Sequence, residues 1–216
     1  LSRYVDGLMI RTFEHQILEE FALHSTVPII NGLTDSHHPA QVLADLLTIQ
    51  EHKGKLKGLK LCYLGDANNN MSHSLIEGAV KVGMDISIAC PVGYEPDASI
   101  IENVKNETIV TGSSILIGEC PEEMIKDADV VVTDVWTSMG QEAETAERLK
   151  TLAPFQVNKE LCKHAKHDFI FLHCLPAHRG EEVTADIIDG PHSVVFDEAE
   201  NRLHAQKAIL KALLGN

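Results

Sequence analysis

Eight short apolar runs of strand length, separated by stretches with helical spacing, constrain this 216-residue chain more than anything else in it. Strands that alternate with helices imply an α/β fold, a parallel sheet covered by helices, because each crossover must return over a sheet face. The predicted strands are residues 8–13, 27–31, 60–65, 85–90, 108–111, 130–135, 169–174 and 193–196. Predicted helices fill 14–23, 39–52, 72–82, 98–103, 121–126, 142–149, 158–164 and 198–213. The helix from Pro39 carries Val42, Leu43, Leu46, Leu47 and Ile49, enough apolar surface to be buried on more than one side and to connect two domains.

Composition narrows the function classes. Hydrophobic residues make up 44% of the chain, which supports a sizeable core, and 18 basic against 32 acidic residues give 18 − 32 = −14. An acidic surface argues against nonspecific binding to nucleic acid or to anionic membranes. No apolar run approaches the ~20 residues of a membrane helix, and the opening LSRYVDGLMI is unlike a signal peptide, so a soluble, cytoplasmic protein is expected. Five cysteines without Cys-x-x-Cys spacing suggest neither a disulfide framework nor a zinc site, and the His37-His38 and His164/His167 pairs lack accompanying ligands, so no metal is expected.

Ligands of a doubly wound sheet gather beyond the carboxyl ends of its strands, and five such segments carry polar residues there. In Asn31-Gly-Leu-Thr-Asp-Ser-His-His-Pro-Ala-Gln41, His38 and Gln41 lie three apart at a helix start, able to face a carbonyl or amide; Ser36 or His37 capping the helix is the alternative. Leu64-Gly-Asp-Ala-Asn-Asn-Asn-Met-Ser-His-Ser74 lacks the Gly-x-Gly-x-x-Gly of a dinucleotide loop, and its asparagines either present amides to a polar ligand or serve the turn. Thr133-Asp-Val-Trp-Thr-Ser-Met-Gly140 delivers Asp134 to a strand end, where it can hold an ammonium group or cap the next helix. Phe169-Ile-Phe-Leu-His-Cys-Leu-Pro-Ala-His178 sets Cys174 beside His173, with no visible arrangement for a nucleophilic thiol. Finally, Arg202 is read onto the first turn of the last helix, as a clamp for an oxyanion or as a surface partner of Glu198.

In this order, along nearly the whole chain, these segments resemble the carbamoyltransferases, and the wording His-Pro-x-Gln, Asp-x-x-x-Ser-Met-Gly and His-Cys-Leu-Pro resembles the ornithine branch. The resemblance implies one complete Rossmann-like domain plus part of a second. Residues 1–40 would be the end of a carbamoyl phosphate-binding domain, 41–197 an ornithine-binding domain, and 198–216 a helix returning to the first. It implies that Arg11, His38, Gln41, Cys174, Leu175 and Arg202 contact carbamoyl phosphate. Asn70, Asp134, Ser138 and Met139 would hold L-ornithine, with Asp134 and Cys174 at the reacting amine. The implied reaction needs no cofactor, and the implied assembly is a homotrimer or a multiple of trimers.

One departure stands against the agreements. The family's Ser-x-Arg-Thr phosphate motif is absent from these residues and the first residue is Leu, so a fragment with little or no turnover by itself is expected. Rival readings are transfer to a related amine such as putrescine, and a non-catalytic binding or assembly protein of the same ancestry.

Overall fold

The structure, a computed structural model, describes residues 1–137 and 145–215. A two-stranded parallel sheet comes first: β1 (Leu8–Arg11) pairs with β2 (Ile29–Leu33), with α1 (His15–His24) between them in the chain. The long helix α2 (Pro39–Lys53) then leads to β3 (Lys60–Leu64), α3 (Asn70–Val82), β4 (Asp85–Ala89), α4 (Ala98–Thr111) and β5 (Ile115–Gly118). After α5 (Pro121–Ile125) come β6 (Val130–Thr133), α6 (Thr145–Leu152), α7 (Lys159–Cys162), β7 (Ile170–Leu172), α8 (Ala185–Ile188) and α9 (Val195–Leu214). The second sheet is parallel throughout, in the order β5-β4-β3-β6-β7.

Its central strands read as continuous apolar runs because both faces are covered. Alternate residues feed opposite cores: Leu61, Tyr63, Ile86, Ile88, Val130 and Val132 pack toward α2, α3 and α4, whereas Cys62, Leu64, Val131 and Phe171 meet Ile125, Phe155, Leu161 and Ile187. Helix starts and stops follow from local chemistry. Asn69 accepts from the Ser72 amide at the start of α3, Asp97 from the Ser99 amide at the start of α4, and Gly54, Gly83 and Gly112 end α2, α3 and α4 in the left-handed conformation.

The α/β class is as expected, and several boundaries are not. Residues 108–111, predicted as a strand for their Thr-Ile-Val-Thr run, form the last turn of α4, with Ile109 and Val110 pointing into solvent; the helix runs on until Gly112 stops it, and the strand lies at Ile115–Gly118. Residues 193–196 make only an isolated bridge between Ser193 and Phe171, and α9 begins at Val195, three residues before the predicted start. Of the predicted helix 142–149, residues 142–144 lie outside the described residues, and the helix continues to Leu152. Among the described residues no helix is long and apolar enough to cross a membrane.

Helix α2 is held close to α3: a Cβ built on Gly78 would stand 2.4 Å from Cγ1 of Val42. Alanine elsewhere in a helix gains about 1 kcal/mol over glycine, but here the methyl meets a β-branched side chain that has little room to turn. Gly78→Ala is expected to lower unfolding stability by about 1–3 kcal/mol, read from the urea midpoint; an unchanged or raised midpoint would contradict the close packing.

Candidate active site

The chain departs in opposite directions from β3 and β6, neighbours at the centre of the sheet, so their carboxyl ends flank the switch point where ligands of such sheets sit. Gly65, at φ +124°, opens the turn after β3, and a Cβ there would come within 3.1 Å of Nε1 of Trp136, in the turn after β6. Asp66 pairs with the buried Arg148, whose Nε donates to the Trp136 carbonyl at 2.6 Å and whose guanidinium lies 5.1 Å from the centre of the Tyr94 ring. This pairing ties the β3 turn, the β6 turn and α6 together.

Asp134 follows β6 and accepts from the Cys174 thiol at 3.1 Å, with the Val135 amide at 2.7 Å on the same oxygen. Burial pushes the Asp134 carboxyl upward, opposed in part by His173 and by the hydrogen bonds it accepts. The Cys174 thiol is pushed well above its usual range, first by burial and then by Asp134, so it remains a protonated donor and is poorly suited to be a nucleophile. Beside it, the Leu175 amide donates to Nδ1 of His173 at 2.9 Å. That bond makes Nδ1 an acceptor, so Nε2 carries the proton and donates to Glu182 at 3.2 Å. Leu175 sits at φ +57°, a left-handed conformation uncommon for a side chain of this kind, and it is followed by a cis peptide bond to Pro176.

The other half of the site forms where α9 crosses the start of α2. His38 is the N-cap of α2 and donates its amide to the Ser74 hydroxyl at 2.8 Å; neither Ser36 nor His37 caps the helix, and no side chain takes that role. Arg202, in the third turn of α9 and not the first, reaches back to Oε1 of Gln41 at 2.5 Å and Nε2 of His38 at 3.1 Å. It therefore does not pair with Glu198, which is buried and engaged by Gln41 and the His173 amide. Arg11, Arg202, Asn31 and Gln206 share a cleft of about 230 Å³. Burial, then Arg202, then Arg11 lower the His38 pKa to about 4, so the ring is neutral near pH 7. Because an arginine can only donate, Nε2 of His38 accepts and Nδ1 carries its hydrogen.

The predicted residues thus converge in two adjoining groups: Arg11, His38, Gln41 and Arg202 in one, Asp134, Cys174 and Leu175 in the other. Glu198 joins the two groups, accepting from Gln41 on one side and from the amide of His173, next to Cys174, on the other. Asn70 opens α3 and donates to the Thr34 carbonyl at 2.8 Å, tying that helix to the turn before α2, while Asn69 fills the helix-capping role. Ser138 and Met139 lie outside the described residues. Among the described residues, two groups have possible metal-ligand atoms close together, Asp134 with His173 and Cys174, and His178 with Glu181 and Glu182. In the first, both ring nitrogens of His173 and the thiol are already hydrogen-bonded within the protein.

Sequence reasoning did not single out Asp45, Glu182, Asp66 or Arg148, and it treated Glu198 only as a surface partner. A signal existed for the first: Gln41, Asp45, Thr48 and His52 recur at helical spacing, a polar stripe on a helix otherwise rich in apolar residues.

A parallel α/β sheet whose switch point adjoins a cleft holding two arginines offers a place for a small anionic molecule, and the chain belongs to the aspartate/ornithine carbamoyltransferase family, a family of transferases. Residues 57–213 match its Asp/Orn binding domain and residues 1–51 its carbamoyl-P binding domain. Among its relatives, the ornithine carbamoyltransferase of Carboxydothermus hydrogenoformans is 63% identical over 215 residues, covering 100% of this chain and 69% of the relative. That of Bacillus subtilis is 61% identical, covering 99% and 67%. The solved ornithine carbamoyltransferase from Pyrococcus furiosus superposes with a TM-score of 0.96 at 55% identity, covering 100% of this chain and 68% of that one.

The lowered pKa of His38 has a consequence for stability. The unfolded chain binds a proton at about 6.5 and the folded one at about 4, so the neutral ring contributes stability that is fully present above pH 6.5 and is lost as pH falls toward 4. In urea unfolding, the native protein is expected to lose stability relative to His38→Gln across that interval, with a constant difference above it. A difference that does not vary with pH would mean that His38 titrates normally.

Proposed function

We infer that this chain carries the chemistry of an ornithine carbamoyltransferase, moving the carbamoyl group of carbamoyl phosphate to the side-chain amine of L-ornithine to give L-citrulline and phosphate. The observation that carries this reading is the meeting of Arg202 with His38 and Gln41 beside Arg11, next to the Asp134–Cys174 pair. Two guanidiniums can face a phosphate and a developing oxyanion, while Oε1 of Gln41 and Nε2 of His38 are acceptors suited to a carbamoyl NH₂. Arg11, His38, Gln41, Cys174, Leu175 and Arg202 are assigned to carbamoyl phosphate. Asn70, Asp134, Ser138 and Met139 are assigned to ornithine.

The amine of ornithine, like that of lysine, holds its proton up to a pH of about 10. Asp134 can receive it as an ammonium, and Cys174 orients the carboxylate without forming a bond to substrate. Once the ammonium has released one proton to solvent, the amine attacks the carbonyl carbon, negative charge grows on the carbonyl oxygen beside the Arg11 and Arg202 guanidiniums, and the C–O bond to phosphate breaks. The departing phosphate accepts the second proton, from the nitrogen that has attacked. Acceleration then comes from placing two substrates together in a fixed electrostatic frame, and no step calls for a cofactor.

Residues 1–40 are assigned to the carbamoyl phosphate side, 41–197 to the ornithine side and 198–216 to the returning helix, with the phosphate cradle in the part of the relatives that lies beyond these 216 residues. Apolar side chains exposed on and near α1, among them Phe13, Ile17, Phe21 and Leu23, support further assembly, for which a homotrimer is proposed, in the cytoplasm.

Citrulline formation is the test, comparing this chain with a version extended by its upstream sequence and offering putrescine as the alternative acceptor. The extended protein is expected to make citrulline, the 216 residues little or none, and putrescine is expected to be a poor acceptor. Asp134→Asn in the extended protein should lower kcat/KM for ornithine by about 10- to 100-fold, the loss of one hydrogen bond to a charged group. No citrulline from either form, or preference for putrescine, would overturn the reading.

A further inference from the structure

Between α2 and α9 lie two carboxyl side chains that the reaction above does not use. Asp45 and Glu198 are each 1% exposed, and both accept from one atom: Nε2 of Gln41 donates to Oδ1 of Asp45 and to Oε1 of Glu198, each at 2.9 Å. The other Glu198 oxygen accepts from the His173 amide at 2.9 Å, while Oδ2 of Asp45 is buried without a partner.

This geometry settles the orientation of the Gln41 amide. Both hydrogens of Nε2 are committed to the carboxyl pair, so Oε1 must be the atom that faces Arg202, and an arginine there requires an acceptor. We propose that Asp45 and Glu198 are positioning residues that share one proton and hold the Gln41 amide with its carbonyl oxygen toward the carbamoyl group. The proposal rests on the assignment of Gln41 to that group. A reversed amide would turn its NH₂ toward both Arg202 and the carbamoyl NH₂, setting donor against donor.

Two ionised carboxylates in such a place would repel each other in a medium of low dielectric. Burial is the largest influence on both, pushing Asp45 up to about 6 and Glu198 well above the ordinary range, so the pair keeps a proton at neutral pH. Arg202 from α9 and Asp134 from the end of β6 also act on Asp45, in opposite directions. Three of the four carboxyl oxygens already accept an N–H and Oδ2 of Asp45 accepts none, so the proton is shared between the two carboxyl groups. Glu198 has a second effect: through the His173 amide it fixes the strand end from which Cys174 and Leu175 project.

The hydrogen bonds make the two residues unequal. Asp45→Asn keeps an oxygen for Gln41 and sets an amide NH₂ where Oδ2 accepts nothing, so it should raise the KM for carbamoyl phosphate by no more than about threefold. Glu198→Gln has one oxygen for two donors, Gln41 and the His173 amide, and should raise that KM by about 10- to 100-fold, the range for a hydrogen bond to a charged group. Adding Gln41→Glu to Glu198→Gln restores an oxygen facing Arg202 at unchanged total charge and should recover about tenfold. In all variants the melting temperature is measured beside the kinetics, in the protein carrying its upstream sequence.

Infrared spectroscopy reads the proton without reference to activity. The native protein should show the carbonyl band of a protonated carboxylic acid at neutral pH, and Asp45→Asn should abolish it. Equal losses in the two single variants, failure of the double variant to recover, or a band that survives Asp45→Asn would each overturn the proposal. If the native enzyme forms no citrulline, the functional reading fails by itself, and the infrared result still decides whether the shared proton exists.

Discussion

The crossing of α9 over α2 is the contact on which the rest of the site depends. Along it runs a polar seam: Arg202 and Glu198 on Gln41, Asn201 on Thr48 and Glu51, and, at its exposed end, Asp197 on His52. Where the groups are buried, as at Gln41, Thr48, Glu198 and Asn201, the desolvation of one side is offset only while the other is in place. Residues more than 150 positions apart in the chain thereby act as one surface, and the cleft containing Arg11 and Arg202 exists because the last helix returns.

Two sides of the site differ in how they hold charge. At the α2 side, guanidiniums stand beside a neutral histidine and a glutamine carbonyl, an environment that receives anions and amides. At the sheet side, Asp134 is buried against a thiol that stays protonated, an environment that receives a cation. Arg148 fixes the sheet side by joining Asp66 and Trp136 across the switch point.

Much of this was legible in the sequence. Strand runs such as Leu61–Leu64 and Val130–Val132 announced a sheet buried on both faces, and the strand-end positions of Asp134 and Cys174 put them at one edge of it, where the thiol reaches the carboxylate. What misled was local. The β-branched residues Thr108, Ile109, Val110 and Thr111 read as a strand because propensity does not register that a helix already under way continues until a residue such as Gly112 stops it. Arg202 was placed on the first turn because the helix was started too late, since nothing local distinguishes Ser193–Phe196 as a bridge followed by a helix. Asp45 and Glu198 were missed for a deeper reason: a carboxylate in a helix is ordinarily a solvated one, and only the packing of two distant helices removes the water.

The close approach of Gly78 to Val42 adds a constraint of another kind. It pins one side of α2 against α3, while the polar seam pins an adjoining side against α9. A helix held on two faces by unlike chemistry cannot slide or roll by a turn without opening a void on one face and stranding charges on the other. For chimeras built from related enzymes, the last twenty residues are therefore not a separable tail: they must be exchanged together with α2, as two halves of one lock.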